Sequence, residues 1–151
     1  TDPAELIAVC VRHTITRARQ EPLWGAFLLR ESYRNHVFSR GLGARLLRDI
    51  RKGVAQKRFV VEDPLMTVIL VGATILGTIA AERGAKDAVP AQLKQLKQLG
   101  MNVQNLEQRA TATVLQNLGL SAADARTIAK RALPVFDWPA AFVETDRSGP
   151  A

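Results

Sequence analysis

The run Leu65–Ala81, LMTVILVGATILGTIAA, is seventeen residues long and carries no charge. Such a stretch has to be hidden from water, and a bilayer, the centre of a globular domain or a seam between subunits could each hide it. A bilayer span needs roughly 17 to 25 apolar residues, normally with Lys or Arg on one flank and Trp or Tyr at its ends. Here the flanks are Glu62-Asp63 and Glu82-Arg83, and Thr67, Thr74 and Thr78 interrupt the run. The membrane reading is therefore disfavoured, and no membrane partner is expected. Asp63 before Pro64 offers an N-cap followed by a first-turn proline, so the run reads as a helix from Pro64 to about Arg83, apolar all round.

The other two settings combine. A chain of 151 residues buries about two thirds of the surface its unfolded form exposes, so a real core is possible. Five or six further helices are nevertheless too few to cover this one on every side. Ala73, Gly77 and Ala81 lie four apart and form a small-residue face flanked by Leu70, Thr74 and Thr78, while Met66, Ile69, Ile75, Leu76 and Ile79 supply bulk. A subunit seam joined to a core is the preferred reading. The alternative is a small-residue contact made wholly within the chain.

The remaining sequence reads as helices. Asp2, Pro3 and Glu5 give a cap, an N1 proline and an acid matched to the helix dipole, predicting a helix over Pro3–Gln20. Pro22 to Arg34 follows, then a connector from Asn35 to Gly43, then a helix from about Ala44 to Lys57 with Leu46, Leu47, Ile50 and Val54 inward. Beyond Gly84, a short polar helix with Leu93, Leu96 and Leu99 precedes a clearer one over Asn102–Leu118, ended by Gly119 as a left-handed cap. Ser121 and Asp124 start a last helix to about Ala132. Pro134, Pro139 and Pro150 mark a partly mobile tail over 134–151, with Phe136, Trp138 and Phe142 able to pack on the body. No segment alternates with period two for long enough to be a strand, so the fold class is all-α.

Charge is unevenly placed. The net value is +7, and Arg12 to Arg58 holds twelve Lys and Arg against three acids, Glu21, Glu31 and Asp49. One reading is attraction to phosphate through Arg40, Arg45, Arg48, Arg51, Lys52 and Arg58. The blander reading is solvated helix faces in a chain whose basic residues are mostly Arg. No finger spacing, RNP-type aromatic string or Gly-rich phosphate loop supports the former. Cys10, the one cysteine, excludes an internal disulfide framework and leans towards a reducing, cytoplasmic setting. Cys10 and His13 share a helix face, but two ligands without a third are more often core packing than a metal or nucleophile site. Asp49 and Glu31 read as surface ion pairs and not as a general acid and base, and Trp24 as structural. No enzyme, catalytic residue, metal or cofactor is expected.

Three stretches together resemble a known family: DPAELIAVCVRHTITRARQEPLWGAFLLRE, RGLGARLLRDIRKGVAQKRFVVEDPLMTVILVGATILGTI and ATATVLQNLGLSAADARTIAKRALP. They are similar to the C-terminal, ligand-binding and dimerisation domain of TetR-type transcriptional regulators, from about Asp2 to Pro134. The segment Lys86–Met101 is longer than the connector expected of that family. The resemblance implies an effector-binding and dimerisation domain over 1–133, in a homodimer closed by a four-helix bundle of Pro64–Arg83 and Asn102–Leu118. Its seam residues would be Leu70, Ala73, Thr74, Gly77, Thr78, Ala81, Leu106, Ala110 and Val114. It also implies a pocket for a small, mostly apolar effector lined by Cys10, His13, Thr14, Phe27, Tyr33, Leu47, Met66, Ile69 and Leu70. Operator DNA would be read by a helix-turn-helix domain upstream of Thr1, outside this sequence, and the effector would control that binding in a repressor.

Overall fold

The computed structural model describes residues 1–32 and 41–134, without the side chains of 41 and 42, and every element in it is an α-helix. In chain order these are α1 (Pro3–Gln20), α2 (Pro22–Glu31), α3 (Gly41–Ala55), α4 (Pro64–Asp87), α5 (Pro90–Gln98), α6 (Leu106–Asn117) and α7 (Ala122–Ala129). Of the connector expected over Asn35–Gly43, residues 35–40 lie outside the described residues, as do the aromatic residues of the tail, while Gly41–Gly43 already belong to α3.

Local chemistry sets the boundaries. Asp2 accepts from the Ala4 amide at 3.0 Å and Asp63 from the Met66 amide at 3.0 Å, each with proline at the first helical position. Ser121 accepts from the Asp124 amide at 3.1 Å and opens α7. Gly119 adopts φ +95°, and the Leu120 amide reaches back to the Leu115 carbonyl at 3.1 Å, closing α6 with a left-handed cap. Several boundaries differ from the sequence reading: α3 runs from Gly41 to Ala55 rather than from about Ala44 to Lys57, and α7 ends at Ala129 rather than near Ala132. α4 runs through Gly84 to Asp87, because one glycine costs a helix only about 1 kcal/mol; it stops where Val89 must stay extended ahead of Pro90. α6 starts at Leu106 rather than Asn102, because the Asn102 side chain takes the Gln104 amide at 2.7 Å and Asn105 turns left-handed at φ 51°.

α1 is the axis of the domain and packs against α2, α3, α4, α6 and α7. Its Ile7, Val11 and Ile15 are fully buried and meet a core that includes Val71, Ile75 and Ile79 of α4 and Val114, Leu115 and Leu118 around α6. Two glycines permit close approach. A Cβ at Gly25 would stand 2.8 Å from the Ala18 carbonyl oxygen, and one at Gly53 would stand 2.1 Å from the Phe59 ring, so Gly53 lets that ring lie on α3 and fixes the path into α4. At the periphery Arg19 bonds Glu82 at 3.1 and 3.0 Å and also pairs with Glu107, tying α1, α4 and α6. α5 has no buried residue.

Candidate functional site

α4 presents two different faces. One, with Val68, Val71, Ile75 and Ile79, is buried in the core. On the other, Met66, Ile69 and Leu70 are 47%, 41% and 43% exposed, and Ala73, Gly77 and Ala81 continue the exposed strip. Thr74 and Thr78 border that strip, and their hydroxyls donate back to the Leu70 and Thr74 carbonyls at 2.7 Å each. These donors are spent inside the helix, so the face is effectively apolar. The helix is long and apolar enough to cross a membrane by length and composition, but its inner face is committed to the domain core. A Cβ at Gly77 would meet nothing within 4 Å.

The α6 residues expected at the seam sit otherwise. Ala110 and Val114 are 7% and 1% exposed and Leu106 is half-buried, because α6 packs between α1, α4 and α7 of its own chain. Ala110 and Val114 are thus covered within their own chain, and of these two helices it is α4 that carries the exposed apolar strip. The period of three and four that singled them out records core packing.

The expected pocket residues are spread over four helices. Cys10 and His13 on α1 are half-buried, as is Leu47 on α3, which packs against the core. Thr14 is fully buried and donates to the Cys10 carbonyl at 2.7 Å, so its hydroxyl closes a helix turn and offers no donor to a ligand. Phe27 on α2 is 36% exposed, with the Arg30 guanidinium 6.0 Å from its ring centroid. Met66, Ile69 and Leu70 belong to the exposed strip, and Tyr33 lies outside the described residues. Four cavities lined by described residues open elsewhere, so none of them joins this set. Trp24 packs on the core with the Arg17 guanidinium 4.3 Å from its ring, as a structural residue would.

Electrostatics draw one cluster together. The Cys10 thiol is pushed up to about 11, first by burial and then by the negative charge of Asp49, with Thr14 and Arg45 opposing. It is therefore a neutral thiol at pH 7, unsuited to nucleophilic attack. Asp49 is half-buried and holds Arg48 at 3.0 Å. It is not merely part of a surface ion pair: its charge reaches an α1 side chain, and sequence reasoning passed over this. The signal was available, because Asp49 is three residues after Leu46 and one before Ile50, both buried, on the inward edge of α3. Among the described residues no group of three or more His, Cys, Asp or Glu lies together to hold a metal ion.

The basic stretch is also partly engaged. Arg58 makes a two-pronged bond to Asp2 at 2.9 and 2.9 Å, while Arg45, Arg48, Arg51 and Lys52 stand exposed on α3.

The described residues thus form an all-α domain with an exposed apolar strip on its longest helix and Asp49 of α3 acting on Cys10 of α1. The chain belongs to the tetracyclin repressor-like, C-terminal domain family, whose model matches residues 2–131. It is similar to the solved structure of RolR in complex with the ligand resorcinol, at 25% identity and a TM-score of 0.66, covering 89% of this chain and 59% of that one. RolR without ligand matches at 28% identity and 0.64, covering 89% and 61%. The chain thus spans about three fifths of the length of those relatives. Comparison with curated protein sequences gave no match.

Proposed function

We propose that this chain is the effector-sensing and dimerisation domain of a cytoplasmic transcriptional repressor, with no catalytic activity of its own. Family membership and the two-faced α4 support this. In the proposed assembly two copies meet along the strip from Met66 to Ala81 in an isologous contact. Operator DNA is read by a domain outside these residues. The effector enters among α1, α2, α3 and α4, where Cys10, His13 and Asp49 orient it and Phe27 and Leu47 give it apolar cover. A small flat molecule with one or two hydroxyls suits that chemistry, since apolar burial drives entry and few polar groups fix orientation. A phenol can donate to the Asp49 carboxylate. Resorcinol, the ligand in the RolR structure, is of this kind and is the first compound to try. The ligand acts by favouring one dimer geometry through its differential affinity.

The observation that carries the dimer is the exposed apolar strip, and Gly77→Trp tests it. Because a side chain at 77 has open space within its own chain, the substitution leaves the subunit's core untouched and strains only a partner helix. Overpacking of that sort costs roughly 1 to 3 kcal/mol per site. Wild type should sediment as a dimer and Gly77→Trp should shift towards monomer with helicity unchanged. A monomeric wild type refutes the seam. The competing idea, that α3 holds nucleic acid directly, requires duplex binding by this chain that falls steeply with salt.

A further inference from the structure

A cavity of about 320 Å³ opens between the first half of α1 and the end of α7. Its wall includes Leu6 and Val9 of α1, Ile128 of α7 and Leu133 just beyond it. Arg12 completes it. At 100° per residue Arg12 is roughly 200° round α1 from Cys10, so this space is separate from the effector cluster and does not depend on that reading.

Arg12 is unusual for a guanidinium: it is 8% exposed. Nη1 donates to the Arg131 carbonyl, while Nε is buried and has no hydrogen-bond partner. The acid on the same wall, Glu5, is held by Arg131. Burial lowers the Arg12 pKa, and no carboxylate contributes to the shift. A buried charge without a counter-charge is costly, and a planar guanidinium with a free N–H is matched by a carboxylate.

We propose that this cavity is a second ligand site, which takes a small monocarboxylate with a short aliphatic or aromatic tail. The carboxylate meets the Arg12 guanidinium on the cavity wall, and the tail lies against Leu6, Val9 and Ile128. The compact volume and mostly apolar wall select against sugars and polyanions.

The test is calorimetric titration of the chain with sodium hexanoate and with hexanamide at matched ionic strength, using wild type, Arg12→Met and Ala132→Trp. Wild type should bind hexanoate saturably and at least about tenfold more tightly than the amide, a difference of about 1.4 kcal/mol. Arg12→Met should erase that preference. Ala132→Trp places an indole at the rim from a residue that is exposed, so it should abolish hexanoate binding without loss of helicity; should Arg12→Met not fold, this variant decides. Absent saturable binding, equal affinity for acid and amide, or a preference that survives Arg12→Met overturns the carboxylate assignment. Hexanoate binding undiminished in Ala132→Trp overturns the location.

Discussion

α1 and α4 are the two longest helices, and their relation to water is the reverse of what their compositions suggest. α1 carries Glu5, Arg12, Arg17 and Arg19, yet it is wrapped by five other helices. α4 has the uncharged run, yet keeps Leu65, Met66, Ile69 and Leu70 at 41% to 61% exposure. The chain spends its covering helices on α1, whose apolar residues recur on one broad side, and leaves half of α4 bare. Apolarity that exceeds what the chain can itself cover marks a surface meant for something else. On α4 the strip is narrow in the middle, where Ala73 and Gly77 let a backbone approach, and bulky at its start. That shape suits a helix of a second copy.

Cutting the same side chain from each helix separates a buried face from an exposed one. Ile15 of α1 is fully buried, whereas Ile69 of α4 is 41% exposed. Ile15→Ala should cost about 2 to 5 kcal/mol of folding stability, from lost transfer energy and the cavity left behind. Ile69→Ala should cost the subunit less than about 1 kcal/mol, since only part of its surface is removed from water. Its larger effect should be on association. Urea unfolding at several protein concentrations separates the two, because only a loss in the seam depends on concentration. Equal, concentration-independent losses would mean that the strip is covered within the chain.

A smaller effect is expected at the polar cluster. Asp49→Asn keeps the size of the side chain but removes the charge that acts on Cys10. If a phenolic effector donates to this carboxylate, the substitution should weaken binding by about 1.5 to 3 kcal/mol, the usual worth of a hydrogen bond to a charged group. Titration with resorcinol, followed by Trp24 fluorescence, reads it. Phe27→Ala with unchanged affinity would remove α2 from the pocket, and Asp49→Asn with unchanged affinity would remove α3.

The helices were legible in the sequence because caps and prolines act locally: Asp2-Pro3, Asp63-Pro64, Gly119 and Ser121 lie where the chain turns. The division of α4 into a buried and an exposed apolar face was legible, because its surplus of apolar residues exceeds what the other helices cover. For α6 it was not, because Val114 has the same spacing whether its neighbour is α1 or another subunit. Asp49 pairs with Arg48 as expected, but its reach to Cys10 was passed over, and the burial of Arg12 shows only in the tertiary packing. Of the expected pocket, the α1 residues and Leu47 are half-buried or buried, while the α4 members share the strip proposed for the seam.

The smallest effect concerns how the wrapped helix is pinned at its start. Asp2 caps α1 and also holds Arg58, and its carboxyl lies below the usual value of 3.8, chiefly through the Arg58 hydrogen bond. A lowered folded-state value means that ionised Asp2 stabilises the fold. That contribution is complete above the unfolded-state value near 3.8 and is lost as pH falls through the lower folded-state one. Asn caps a helix about as well as Asp, so Asp2→Asn removes the charge and spares the cap. With both partners about a third exposed, solvent and salt limit the pair to roughly 1 kcal/mol or less. Urea midpoints of wild type and Asp2→Asn should therefore differ slightly at pH 6 and converge as the pH is taken well below 4. A difference that stays constant to low pH would show that Asp2 acts through packing or capping geometry, and that the entry to α1 is held no more tightly than the entry to α4.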